Sequence, residues 1–250
     1  ILKQFNGCCF ADLDLKQQGV IEDFQLLFYI IQPPTPERVK YDIFDRVNRG
    51  GTPLNKQEMR NALYRGRCTR MLDKLCCSPE FLIATGRSIN KERMKDQYVV
   101  LRAIAFLMLH RGEFKDIPAL QYRGDIDDFL ARFMVYVNDN APEKLIVDYE
   151  NLFIRCMQIS YDLLGENGFR FSGNGIRRPI NMPLFEALSY LFSFVPEKID
   201  YTWASRLILD IESVKEEFDD SRYFSGNIDS TTSVSFRFDR MDKIINRIQL

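Results

Sequence analysis

Histidine and tryptophan are nearly missing: the chain of 250 residues has one of each. A single histidine, His110, cannot supply the paired imidazoles of an H-E-x-x-H zinc site, and with no partnered reactive cysteine it argues against a catalytic triad. The six cysteines stand as Cys8-Cys9, Cys68, Cys76-Cys77 and Cys156, none in a C-x-x-C pair, so no metal site is expected. They read as reduced thiols of a cytoplasmic protein. There is no P-loop, no G-x-G-x-x-G after a strand and no H-N-H signature. The apolar run Ile104 to Leu109 is far too short to cross a bilayer and no signal peptide is visible, so no membrane partner is expected. An excess of one charge is lacking too. Lys+Arg number 34 against 35 Asp+Glu, which gives no broad attraction to nucleic acid and leaves room only for a local basic face.

What is present is globular: 46% hydrophobic residues and a Phe-rich aromatic set suffice for a substantial core. The most specific stretch runs from Phe44 to Met59. Thr35-Pro36 opens a helix whose Val39, Ile43 and Val47 share one face, and Gly50-Gly51 stops it. Asn55 and Glu58 then have the spacing of a capping box for a second helix, with Leu54 and Met59 as its hydrophobic staple. Arg46, Asn48 and Arg49 gather at this corner, near the N–H groups of Gly51, Thr52 and the second helix's first turn. Two readings stay open: the polar residues tie the turn together, or they hold a phosphate.

The run Ile43, Phe44, Arg46, Val47, Asn48, Gly50, Gly51, Thr52, Leu54, Asn55, Glu58, Arg60, Asn61 and Ala62 resembles the signature of a bacterial family typified by the N-terminal half of GmrSD-type restriction systems. Leu2–Gly7, Phe10–Leu13 and Phe24–Ile31 upstream share the family's look. Arg93-Met94-Lys95-Asp96, Leu101-Arg102 and Asp125–Met134 do so downstream. The resemblance implies a mainly α chain: residues 1–66 as a partial ParB/sulfiredoxin-like α/β core and 67–250 as a multi-helix bundle. It implies a nucleoside triphosphate with Mg as cofactor, bound through Arg46, Asn48, Gly50, Gly51 and Thr52. As partners it implies DNA and a nuclease domain or subunit. The family's D-G-Q-Q-R hydrolysis segment would lie shortly before Ile1 and is absent, so the chain reads as a fragment.

Along the rest of the chain, Phe24–Ile31 reads as a buried strand whose partners come from elsewhere. Arg60–Leu75 continues the boxed helix or starts its neighbour. Asn90 caps a long helix to about Arg111 that is apolar nearly all round and so belongs at the bundle's centre, with His110 as a helix-end residue. Asp125–Asn138 is amphipathic. The next helix, after Pro142, carries a stripe of Leu145, Tyr149, Leu152, Cys156, Ile159 and Leu163. Gly165–Asn181 reads as a flexible basic loop whose Arg177 and Arg178 either contact DNA phosphate or a nucleotide, or are simply solvated. Adjacent acids such as Asp127-Asp128 and Glu216-Glu217 read as solvated faces. Two functions follow: a nucleotide-sensing, DNA-associated regulatory domain of a restriction-like defence protein, or a non-catalytic helical scaffold that binds a nuclease partner or DNA.

Overall fold

A computed structural model describes residues 5–28, 30, 32, 37–48, 53–173, 177–196, 198, 200–224 and 226–248. The chain divides into two units, Ile1–Arg46 and Val47–Leu250. Among the described residues the secondary structure is helical, with no strand.

The smaller unit holds α1 (Leu15–Glu22) and most of α2 (Glu37–Asn48). Asp14 caps α1, its carboxylate accepting from Gln17 N at 2.8 Å while Gln17 returns the bond. None of the residues of this unit whose exposure is described is buried. The strand expected at Phe24–Ile31 is therefore corrected. Its described members, 24–28 and 30, are irregular, and Phe24, Leu26, Leu27, Phe28 and Ile30 are exposed. A strand exists only through a neighbour's backbone, and no described segment supplies one. The helix at Glu37–Asn48 does form, yet Val39, Ile43 and Val47 on its apolar face are exposed.

The larger unit is a helical assembly around α6 (Lys95–His110), in which Val99 to Met108 are all buried. Against α6 pack α4 (Arg67–Cys76), α7 (Ile126–Asp139), α8 (Glu143–Leu164) and α9 (Met182–Phe192). Outside these, α5 (Pro79–Ala84) lies on α8, and α11 (Thr231–Ile248) lies on α9 and α10 (Tyr201–Asp219). A helix apolar on every side has no face to offer water, so the centre is the one place it is stable. Between Leu63 and Arg67 the helix is interrupted, so α4 is a neighbour of α3 (Lys56–Leu63) and not its continuation. On α8 the buried stripe is Ile146, Tyr149, Phe153, Cys156, Met157 and Ser160, leaving Leu145, Leu152, Ile159 and Leu163 half-buried at its border. No described helix is long and apolar enough to cross a membrane.

Three charged side chains sit inside this core. Glu186 of α9 is fully buried between Arg102 of α6 and Arg237 of α11, accepting from Arg102 Nε and, at 2.7 Å, from Arg237 Nη2. Arg102 reaches on to Asp229 Oδ1 at 2.6 Å and Tyr98 Oη at 2.9 Å, and Arg237 donates to Ile228 O at 2.7 Å. The network fixes the register of three helices and the turn before α11, since a buried charge moved off its partner is severely penalised.

Candidate functional site

The capping box read from the sequence is present. Asn55 Oδ1 accepts from Gln57 N at 2.8 Å and Glu58 N at 2.9 Å, and Glu58 Oε2 accepts from Asn55 N at 2.6 Å. That bonding removes part of what the phosphate reading relied on, because those first-turn N–H groups are occupied by Asn55. Arg46 is exposed in the last turn of α2 and Asn48 is that helix's final residue. Gly50, Gly51 and Thr52 lie outside the described residues.

The motif meets a distant segment instead. Asn55 Nδ2 donates to Arg93 O at 2.7 Å, Arg93 Nη2 donates to Pro53 O at 2.6 Å and Glu58 Oε2 at 3.0 Å, and Asn61 Nδ2 donates to Gln97. The stretches 53–61 and 93–97 thus form one surface. Between them opens a cleft of about 550 Å³, whose lining includes Lys56, Arg60, Arg93, Lys95, Tyr98 and Asp127. Arg60 is 1% exposed, bonds Gln57 Oε1 and Asp127 Oδ1 (2.8 Å), and lies 5.4 Å from the centre of the Tyr98 ring. Arg102 lies 5.5 Å from that ring. Tyr98 therefore joins the cleft to the buried ion network.

Electrostatics at the cleft follow from these pairs. Burial raises the Asp127 carboxyl, but hydrogen bonds from Lys56 and Arg60 outweigh it and hold the group below the usual carboxylate range. Arg93's hydrogen bond, with that from Asn55 N, does the same for Glu58. Each of these carboxylates is occupied by cations, so the cleft offers an anion the charge of Lys95 and the outer edge of Arg93, with the exposed Glu92 carboxylate also in its lining. It presents no open carboxylate pair for a magnesium ion, and among the described residues no three His, Cys, Asp or Glu side chains converge as metal ligands. Arg93 and Met94 both sit at φ 57°, the left-handed region that non-glycine residues enter at a cost. Those two turns delay α6 to Lys95, and Asn90 caps the preceding turn by accepting from Glu92 N at 2.8 Å. Asp127, read from sequence as solvated, is a member of the cleft. Its signal lay 67 residues from its partner, Arg60, and only the fold brings them together.

The basic loop holds a second site. Far from being free throughout, its first part is anchored: Phe169 and Phe171 are buried, and Phe169 packs 4.3 Å from the Phe185 ring. Arg170, 4% exposed, donates to Glu166 O, Arg178 O, Thr85 O and Ser88 Oγ. Burial, then the nearby Arg177 charge, lowers its pKa from the usual arginine value, with Glu166 opposing. Arg177 pairs with Glu166 at 2.7 Å, and Arg178 pairs with both oxygens of Asp219 while stacking 5.3 Å from the Phe171 ring. These two arginines are brought together on one hollow of about 820 Å³, along with Arg170 and Lys215. Gly86 makes room for them: at φ +59° it closes α5, and a Cβ there would stand 2.1 Å from Arg177 Nη2.

His110 ends α6, stacked 3.6 Å from Phe238 and edge-on to Tyr190 at 5.7 Å, in neither cavity. Cys68, Cys76 and Cys156 are buried and free, their thiols pushed up chiefly by burial, Cys156 to about 12. Comparison of the chain with protein-family models, curated proteins and solved structures finds no match.

Proposed function

We propose that the chain is a nucleotide-sensing, regulatory domain of a bacterial restriction-like defence protein, in which the Lys56–Arg60–Arg93–Lys95 cleft takes the phosphates of a nucleotide. One observation carries the reading. The end of the motif that carries the resemblance to GmrSD-type domains, Asn55–Asn61, interlocks with a downstream stretch that shares the family's look, Arg93–Asp96, and the two line one cationic cleft. A nucleotide phosphate brings charge that competes with Glu58 and Asp127 for those cations, and charge-assisted bonds to Arg and Lys are the strong kind. The ParB-like reading of residues 1–66 and contact with DNA through Arg177 and Arg178 belong to the same proposal. Arg93→Ala with Lys95→Ala, in a chain that keeps its helical circular dichroism, is expected to weaken nucleotide binding about tenfold or more in titration calorimetry. Unchanged affinity removes the cleft from the reading.

The exposed apolar residues of Phe24–Ile30 favour a second reading, a non-catalytic scaffold that binds a nuclease partner or DNA. It is the better account if the unaltered chain binds neither ATP nor GTP.

A further inference from the structure

Arg170 is buried without a counter-charge. All four of its hydrogen bonds go to neutral oxygens, and among the described residues no carboxylate lies within 4.0 Å of it. Such bonds offset only part of the cost of taking a guanidinium out of water. Lys215, on α10, is the second buried cation of the hollow: its side chain is 5% exposed and its Nζ reaches Glu212 Oε1 at 2.9 Å and Asn167 O at 3.4 Å. Counted against five N–H donors on an arginine and three on a lysine, each of these side chains keeps one donor uncommitted. Four cationic side chains line the hollow, and three carboxylates, Glu166, Glu212 and Asp219, pair with Arg177, Lys215 and Arg178, which leaves Arg170 as the cation without one.

We propose that this hollow is a pocket for a terminal phosphate, a phosphomonoester dianion, with Arg170 and Lys215 as its buried charges and Arg177 and Arg178 as its rim. A dianion matches Arg170 together with one rim arginine released from its exposed carboxylate. A phosphodiester in a strand carries one charge and has a sugar on either side, so it fits a recessed pair of cations poorly. The rim can respond, because the present partners of Arg177 and Arg178 are partly exposed carboxylates and such pairs are weak. The phosphate is that of a free nucleotide or of a nucleic-acid end; the chemistry of recognition is the same. The site stands apart from the motif cleft and does not rest on nucleotide binding there; it narrows the DNA contact given above for Arg177 and Arg178 to a terminal phosphate.

The test uses fluorescence anisotropy with one single-stranded oligonucleotide in terminally phosphorylated and terminally hydroxylated forms, the full chain and competing ligands. The phosphorylated form is expected to bind about tenfold or more tightly, with inorganic phosphate competing. Lys215→Met keeps the buried stem and removes the charge, and it should abolish the preference. The surface pair Arg177→Ala with Arg178→Ala should reduce it, and decides the matter should Lys215→Met not fold. Arg93→Ala with Lys95→Ala should leave it intact. A nucleoside monophosphate that competes as well as the phosphorylated strand identifies a free nucleotide as the source; competition by the strand alone identifies a nucleic-acid end. Equal binding of both oligonucleotides, no binding of either, or a preference that survives both the Lys215 and the rim substitutions overturns the assignment.

Discussion

Stability should fall between neutral and mildly acid pH because of one residue, His110. Burial first, and then the Arg237 charge, lowers its pKa to about 3 from an ordinary value near 6.5, and its Nε2 is buried with no hydrogen-bond partner. In the unfolded chain the imidazole takes up a proton below about pH 6.5, whereas in the folded chain it stays neutral until about pH 3. The unfolded state therefore binds more protons across that window. The stabilisation is complete above the unfolded value and is lost progressively as pH falls. At 1.36 kcal/mol per unit, a drop to about pH 5 costs the folded state about 2 kcal/mol. His110→Leu keeps a comparable apolar volume beside Phe238 and removes the titration. Urea denaturation at about pH 8 and about pH 5 should show the natural chain losing about 2 kcal/mol more than the variant, since the carboxylates titrate alike in both. As the chain has no other histidine, the comparison is clean. Losses that agree within about 0.5 kcal/mol would show that His110 is hydrated or charged in the folded protein, contrary to its packing.

Two further substitutions probe the scaffold. Glu186→Gln leaves Arg237 with no carboxylate partner and should cost about 3–5 kcal/mol in urea denaturation; a loss below about 1 kcal/mol would mean that the buried network does not hold the helices in register. Asn55→Ala removes the acceptor for Gln57 N and Glu58 N and should cost about 1 kcal/mol, with the Arg93 contact loosened as well; no measurable loss would place the start of α3 elsewhere.

Much of the helical frame was legible because its signals are local. Asn55 with Glu58 marks a helix start by a side chain that accepts a nearby N–H, and it does so in the structure; Asp125, Asn181 and Asp200 cap α7, α9 and α10 in the same way. The centrality of α6 followed from its all-round apolar character. Phe24–Ile31 misled because an apolar, β-branched run states a preference for a strand but not the existence of a partner. The sites were less legible, for a different reason. Arg177 and Arg178 stood out in a glycine-rich loop. Arg170, Lys215 and Asp127 each sit among ordinary helical or loop neighbours and acquire meaning only from residues far away in the chain. The buried trio did leave a trace: Arg102 and Glu186 are lone charges inside otherwise apolar helices, a pattern that asks for a partner.

The account turns on phosphate entering the cleft where residues 53–61 meet the start of α6. Backbone amide shifts recorded while ATP or GTP is added to the isotope-labelled chain test this directly. Movement concentrated at Asn55–Arg60 and Arg93–Tyr98, weakened by Arg93→Ala with Lys95→Ala, is the expected result. Shifts confined to other residues, or a spectrum that does not change at saturating nucleotide, would contradict it.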